Sequence, residues 1–174
     1  MSYATHENAA LMLEEPTQTS SVPVRVHQRS LFPGKPLNIL LVEDDPSDKM
    51  LTEIALKATK ISHRLSTLRD GNDVISYLHG RGKFAGQPRP DVVLLDLSLP
   101  HCDGFEVLAE ITECPKLQDI PIIILTGFEH YHYIMKVYGL WLPAYVTKPC
   151  SSEKLSAALE RLNDRPKSCK PKLH

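Results

Sequence analysis

Polar residues with the chemistry of a metal and phosphoryl site follow four apolar runs of the chain. Glu43 and Asp44 come directly after one run, Asp96 after a second, Thr126 after a third and Lys148 after a fourth. Mg²⁺ accepts carboxylate oxygens, usually one or two of them beside several waters. A hydroxyl and an ammonium could bind the oxygens of a phosphoryl group. Brought together, these side chains would hold Mg²⁺ next to a phosphoryl group.

Each of these residues also has an ordinary interpretation, as a helix cap, a strand-end hydroxyl or a surface charge. Their joint occurrence at the ends of several runs favours one shared site. Three carboxylates in one crevice repel one another, so Glu43, Asp44 and Asp96 need a bound cation, or one of them must stay protonated.

Five short apolar runs are predicted as the strands that position these residues. They are Leu37–Val42, Arg64–Leu68, Val92–Leu95, Ile120–Leu125 and Ala144–Val146. All but the second lack the alternation of apolar and polar residues that is expected of a sheet with one face exposed to solvent. This pattern indicates strands that are buried on both faces.

Helical patterns separate the strands. The first begins at Pro46 after a candidate Asp45 cap, and apolar residues repeat at Met50, Ile54 and Ala58. The second is capped by Asp70 or Asn72, the third by Asp103 in a capping box with Glu106, and the last starts near Ser151 or Ser152. A fourth helix, between the last two, is predicted over Phe128–Tyr138.

The alternation of strand and helix predicts an α/β fold: a doubly wound, five-stranded parallel sheet with helices on both faces. In such a sheet the carboxyl ends of the strands form one crevice, which is where these folds bind ligands. The strand order 2-1-3-4-5 is taken from flavodoxin-like proteins of this build and is not worked out from the sequence.

Charge and composition limit the function classes. With 20 basic and 21 acidic side chains the net charge is −1, so nothing in the charge predicts nucleic-acid binding. Cys102, Cys114, Cys150 and Cys169 show no spacing typical of a zinc site, which favours free thiols in a reducing compartment. We find no signal peptide or membrane-length run, so we expect a soluble cytoplasmic protein.

The domain is expected over residues 37–163. Residues 1–36 carry scattered Pro, Ser and Thr without a sustained period and are predicted as a flexible leader. Residues 164–174 form a basic tail with no core pattern.

The motifs resemble the receiver domain of response regulators from about Leu37 to Leu162. They are ILLVEDD at 39–45, LLDLSLPHCDG at 94–104, PIIILTG at 121–127 and YVTKP at 145–149. Their order and spacing are more specific than any one motif. The resemblance implies a flavodoxin-like receiver fold in a two-component phosphorelay, and a regulator that assists its own phosphorylation and dephosphorylation without being a turnover enzyme.

The resemblance also implies a role for each site residue. Asp96 would be the phosphoacceptor and form phosphoaspartate. Asp44 and Asp96 would bind Mg²⁺ through their carboxylates, Ser98 through its main-chain carbonyl, and Glu43 through a metal-bound water.

Three further roles follow from the same resemblance. Lys148 would pair with Asp96 or with the phosphoryl oxygens, and Thr126 would bind the phosphoryl group. Tyr145 would occupy the aromatic switch position. The Lys148–Pro149 bond is expected to be cis, since X-Pro bonds lose little by it.

A narrower likeness concerns the partner. Residues 77–100, together with VLAEIT and IPIIILTG, look like the small single-domain regulators paired with phytochrome-type histidine kinases. Such a regulator signals through protein contacts. Its partner is expected to be a histidine kinase of that type, with a histidine phosphotransfer protein, a regulated target or the kinase itself as candidate receivers of the signal.

Two departures from the family pattern carry expectations of their own. Where most members have a small Gly-Ala pair before strand five, this chain has Leu140, Trp141, Leu142 and Pro143. Leu140 and Trp141 are expected to belong to a homodimer interface on the face of helix four, strand five and helix five. Trp141 covering a core edge is the open alternative. Phe128 stands where many members carry a polar residue that helps an attacking water, so slow loss of the phosphoryl group is expected.

Three other protein classes fit the residues of this sequence less well. A haloacid-dehalogenase-type phosphatase needs a second acid two residues after the first, where this chain has Ser98. A flavodoxin needs a phosphate-binding loop after strand one, where this chain has acids that would repel a phosphate. A pseudo-receiver that only binds partners is disfavoured because Asp44, Asp96, Thr126 and Lys148 are all present.

Overall fold

The computed structural model describes residues 35–99, 104–127 and 144–162. The strands are β1 Leu37–Val42, β2 His63–Leu68, β3 Val92–Asp96, β4 Ile122–Thr126 and β5 Ala144–Thr147; the helices are α1 Pro46–Ala58, α2 Gly71–Leu78, α3 Gly104–Glu113 and α4 Ser152–Arg161. A short 3₁₀ helix covers Gly82–Phe84. The predicted helix over 128–138, nearly all of the leader and the basic tail lie outside the described residues, so α4 is the predicted fifth helix.

All five strands are parallel and are ordered β2-β1-β3-β4-β5, so the expected doubly wound sheet and its 2-1-3-4-5 order are confirmed. Alternate residues of each central strand feed two separate cores. Leu40 and Val93 pack on the side of α2 and α3. Leu41 and Leu94 pack on the side of α1 and α4. Burial on both faces is what the uninterrupted apolar runs predicted.

Side-chain caps fix where the helices begin. Asp45 accepts hydrogen bonds from the backbone N–H groups of Ser47 and Asp48 at 2.8 and 2.9 Å, which satisfies donors at the start of α1. Of the alternatives left open by the sequence, Asp70 caps α2 and Ser151 caps α4. The predicted Asp103 cap of the third helix lies outside the described residues.

Strand β4 begins two residues later than predicted, at Ile122. The N–H of Ile120 donates to Leu117 O at 2.8 Å in a turn, and Pro121 has no N–H to give to a ladder. The apolar run therefore starts before the strand does.

The face of α1 that packs on the sheet is not the one marked by Met50, Ile54 and Ala58. The helix buries Thr52, Ala55 and Leu56. Met50 and Ile54 are each 56% exposed and Leu51 is 44% exposed. The helical spacing predicted the helix correctly, but three of its larger apolar residues form a solvent-facing patch, called here the α1 patch (Met50, Leu51 and Ile54).

Candidate functional site

Two neighbouring strands bring three carboxylates to one point at the carboxyl edge of the sheet. Strand β1 leads into Glu43 and Asp44, and β3, which pairs with β1, ends at Asp96. One carboxylate oxygen from each residue lies within 4.8 Å of the others. Glu43 and Asp96 are buried and Asp44 is half-buried, so their mutual repulsion is only weakly screened by water.

Lys148 places its ammonium among these acids. Its Nζ lies 2.7 Å from Glu43 Oε2 and 2.5 Å from Asp96 Oδ2. Its backbone N–H donates to Thr126 O at 2.8 Å, which ties the residue after β5 to the end of β4. The Lys148–Pro149 peptide bond is cis, as expected.

Asp48 is a fourth acid of the crevice that the sequence reasoning missed. Its Oδ2 lies 2.9 Å from Lys148 Nζ. It occupies the first turn of α1, the helix that starts at the crevice after the Asp45 cap. The pattern EDDPSD at 43–48 could have predicted this acid. A helix that begins at the crevice has its first turn beside the crevice, and Asp48 lies in that turn, four residues after Asp44.

Burial and charge set the protonation of this cluster. Loss of hydration on burial raises the pKa of Glu43 to about 7; the contact with the ammonium of Lys148 works against this rise, and the charge of Asp96 adds to it. Burial lowers the pKa of Lys148, but its contacts with the carboxylates of Asp96, Glu43 and Asp48 outweigh this effect and raise that pKa overall. Lys148 therefore stays charged at every physiological pH.

The residues present fit a hard divalent cation. The donor set is made of oxygens alone, which is what Mg²⁺ prefers. In the part of the chain that the structure describes, buried Glu43 Oε2 accepts no well-directed hydrogen bond, although it lies 2.7 Å from the ammonium of Lys148. An oxygen in that state can accept a hydrogen bond from a metal-bound water.

The remaining predicted site residues lie around this cluster. The backbone N–H of Ser98 donates to Asp96 Oδ1 at 2.9 Å. Thr126 ends β4, between the strands that lead to Asp96 and Lys148. Tyr145 lies on β5 and is 42% exposed. Phe128, Leu140 and Trp141 lie outside the described residues.

Gly104 lets α3 begin directly against the site. A Cβ at this position would lie 2.5 Å from the backbone oxygen of Asp96 and 2.5 Å from Leu97 Cα. Because backbone atoms cannot move aside cheaply, only glycine fits here. The close approach holds the start of α3 against the strand end that carries the candidate phosphoacceptor.

A parallel sheet of order 2-1-3-4-5 with several acids around one lysine at its carboxyl edge is the arrangement of a receiver domain. Residues 39–160 match the response regulator receiver domain, and the chain belongs to that family.

Within the family, the chain is similar to phytochrome response regulators and to the response regulator Rcp1. The chain is 42% identical over 113 residues to the response regulator Rcp1 of Synechocystis sp., covering 65% of this chain and 77% of that protein. A structure of the Mn²⁺-bound form of Rcp1 is similar with a TM-score of 0.62 and 38% identity, over 74% of this chain and 93% of the other.

Two other solved structures share the likeness. The bacteriophytochrome response regulator RtBRR is 36% identical with a TM-score of 0.69, covering 79% of this chain and 84% of its own. The phosphorylated cyanobacterial phytochrome response regulator RcpA is also 36% identical, with a TM-score of 0.62 over 75% of this chain and 93% of its own. The expected likeness to phytochrome-associated regulators is thereby confirmed.

Among the described residues, none of the helices is both long and apolar enough to cross a bilayer.

Proposed function

We propose that this protein is a response regulator that accepts a phosphoryl group from a partner histidine kinase on Asp96, in the presence of Mg²⁺. The observation that carries the proposal is the meeting of Asp96, Glu43 and Lys148 within ion-pair distance at the end of β3. Residues 37–163 would form the domain that carries this activity. The protein assists its own phosphorylation and dephosphorylation without turning over a substrate as an enzyme does.

In this proposal, Asp96 is the nucleophile. A carboxylate oxygen of Asp96 forms a bond to phosphorus while the phosphohistidine imidazole leaves in line with it. The hydrogen bond from Ser98 N–H to Oδ1 orients the carboxylate. Lys148 shifts its ammonium from Oδ2 toward the incoming phosphoryl oxygens, where it offsets negative charge.

Asp44 and Asp96 would hold Mg²⁺ through their carboxylates and Ser98 through its main-chain carbonyl, with Glu43 on a metal-bound water. Bound Mg²⁺ supplies further charge neutralisation at the phosphoryl oxygens. Thr126 would donate its hydroxyl to a phosphoryl oxygen after transfer, and Tyr145 on β5 would respond to that movement. The phosphorylated RcpA and Mn²⁺-bound Rcp1 structures support phosphorylation and metal binding for this chain.

The direct test is incubation with acetyl phosphate or a phytochrome-type histidine kinase, with Mg²⁺ or with a chelator, followed by intact-mass measurement. We expect a mass gain of one phosphoryl group with Mg²⁺ and none with the chelator. A phosphoryl gain that the chelator does not affect would count against the metal's role.

Relatives that act with phytochromes support a phytochrome-type histidine kinase as the partner, and the α1 patch offers it a docking surface. The helix begins at the crevice, and Met50, Leu51 and Ile54 expose apolar area just beyond it. A kinase helix that presents phosphohistidine to Asp96 must lie over the crevice mouth, where it would cover this patch. A histidine phosphotransfer protein could use the same surface.

Replacing Met50 and Ile54 by Ser should slow phosphoryl transfer from the kinase by at least about tenfold, because burying a Met or Ile side chain contributes about 1.5–3 kcal/mol and a tenfold change corresponds to about 1.4 kcal/mol. Phosphorylation by acetyl phosphate should stay unchanged, since the small donor needs no docking surface. Initial rates with both donors measure the difference. Lys57→Ser, an exposed change on the same helix, is the matched control, and equal losses with both donors would contradict the docking role.

Self-association is a separate part of the proposal. The homodimer would form through β5, α4 and the segment between β4 and β5, which carries Leu140 and Trp141. The exposure of Tyr145 on β5, the last strand in the sheet order, supports a contact on this side.

Mg²⁺ affinity should rise with pH because of Glu43. The pKa of Glu43 is raised to about 7, so the side chain is protonated below that pH. The proton must leave before Glu43 can act with the other acids in binding the metal. We expect a roughly tenfold gain in Mg²⁺ affinity between pH 6 and pH 8, measured by calorimetry. Glu43→Gln should flatten this dependence, and an equally steep dependence in that variant would contradict the assignment.

The same raised pKa affects the metal-free protein. Between the ordinary pKa of 4.5 and about 7, the folded state holds more protons than the unfolded state. The free energy of unfolding should therefore fall as pH rises through this window, by linkage, and Mg²⁺ should offset the loss at the upper end.

A further inference from the structure

A second group of metal-ligating side chains lies between α2 and α3. A ring nitrogen of His79, a carboxylate oxygen of Glu110 and Cys114 Sγ lie within 4.8 Å of one another, and all three residues are half-buried. His79 is the C-cap of α2. The N–H of Cys114 donates to Glu110 O at 3.1 Å, the bond of a helical turn, so these two side chains lie on one side of α3.

This group is distant from the phosphorylation crevice. In a parallel sheet each connecting helix runs back from the carboxyl edge to the amino edge before the next strand begins. His79 ends α2 and Cys114 follows the last residue of α3, so both lie toward the amino edge. Cys114 packs against the core on the α2 and α3 side, whereas α1 and α4 cover the opposite face.

The ligand set is one nitrogen, one oxygen and one sulfur, and this mixture matches a thiophilic borderline ion better than Mg²⁺. Zn²⁺ binds His nitrogen at about 2.0 Å, carboxylate oxygen at about 2.0–2.2 Å and thiolate at about 2.3 Å in tetrahedral geometry. Those bond lengths set ligand-to-ligand distances of about 3.3–3.7 Å. Atoms already within 4.8 Å need only small side-chain rotations to reach them.

The hydrogen bond between His79 and Glu110 is an ordinary explanation of why these two side chains lie together without a metal. Metal binding would have to open this hydrogen bond. His79 Nε2 lies 2.6 Å from Glu110 Oε1, closer than two ligands of one ion can lie. The pair must open by about 0.7 Å for both atoms to bind the same ion. Glu110 can do this, because its side chain is 36% exposed, while His79, at 15%, stays in place.

We propose that His79, Glu110 and Cys114 form a Zn²⁺ site at the amino edge of the sheet, with water as the fourth ligand. Binding releases the thiol proton of Cys114 to solvent, and the proton between His79 Nε2 and Glu110 Oε1 leaves that bond for His79 Nδ1 or for solvent, because the ligands bind as thiolate, neutral imidazole and carboxylate. The ion links the ends of α2 and α3 across 31 residues of sequence, and so stabilises the folded state.

The test is metal titration of the full chain with ZnCl₂ or CoCl₂, in saturating Mg²⁺ so that the crevice is already occupied. One equivalent of Co²⁺ should bind with a near-ultraviolet thiolate-to-cobalt charge-transfer band, and Zn²⁺ should displace it. Cys114→Ser should remove that band, and His79→Gln should weaken Zn²⁺ binding by at least about tenfold. Thermal unfolding should shift upward with Zn²⁺ in the native chain and not in Cys114→Ser.

Matched controls separate this site from others in the chain. Cys150→Ser and His63→Gln, at described residues that do not belong to the group, should bind Co²⁺ and Zn²⁺ as the native chain does. Asp96→Asn should do so too, which makes the result independent of the phosphorylation proposal. The inference is overturned if Co²⁺ gives no thiolate band, if the band survives Cys114→Ser, or if Cys150→Ser abolishes it.

Discussion

Asp96→Asn should abolish phosphoryl uptake from both acetyl phosphate and the kinase. The amide has nearly the shape of the carboxylate and its oxygen can still accept the hydrogen bond that Ser98 N–H now donates to Asp96 Oδ1. It lacks the negative charge and lone-pair reactivity needed to attack phosphorus. We expect no mass gain in the variant under conditions where the native chain is fully converted.

Asp45→Asn is the matched control for that experiment. Asp45 is an acid close to the crevice, and its visible role is to cap α1 through Ser47 and Asp48. Asn is as good a cap as Asp, so the helix should start at the same place and phosphorylation should persist. A phosphoryl gain retained in Asp96→Asn, or lost equally in Asp45→Asn, would refute Asp96 as the acceptor.

Lys148→Met should slow phosphorylation by about 10²–10³-fold, the cost of removing one preorganised group that offsets developing charge. The same change should strengthen Mg²⁺ binding, because the ammonium that now neutralises Glu43 and Asp96 would no longer compete with the metal. Rates with acetyl phosphate and Mg²⁺ titrations on the same samples measure the two effects. Their opposite directions distinguish loss of a charge-neutralising group from general damage to the site.

Asp48→Asn is the control for the lysine. It removes one of the three carboxylates around the ammonium and leaves Glu43 and Asp96 in contact with it. Since Asp48 is about one-third exposed, its pair with Lys148 is partly screened, and phosphorylation should stay within about tenfold of the native rate. If Lys148→Met left the rate intact while Asp48→Asn reduced it sharply, the roles assigned to the two residues would be wrong.

Local patterns in the sequence were enough to predict the strands, the helices and a parallel sheet, whereas the strand order was taken from flavodoxin-like proteins. Runs such as Leu37–Val42 are apolar throughout because both faces of the sheet are covered, and Asp45 followed by Pro46 marks the start of α1. Strand ends of a parallel sheet share one edge, so the order of acids and a lysine after the runs also predicted which residues would meet. The motifs and their spacing identified the family that the comparison with known proteins confirms.

The sequence alone determined which segments become strands and helices, and which polar residues reach the carboxyl edge, because both follow from short-range backbone preferences and from chain order. Only the tertiary structure decided that α1 turns Met50 and Ile54 to solvent and that Asp48 contacts Lys148, 100 residues away. It likewise brought His79 to Glu110 and Cys114, which lie on different helices and show no zinc-type spacing. The physical reason is that these contacts depend on packing against residues that are distant in the chain. In α1, for example, packing against the sheet decides which apolar face of the helix is buried.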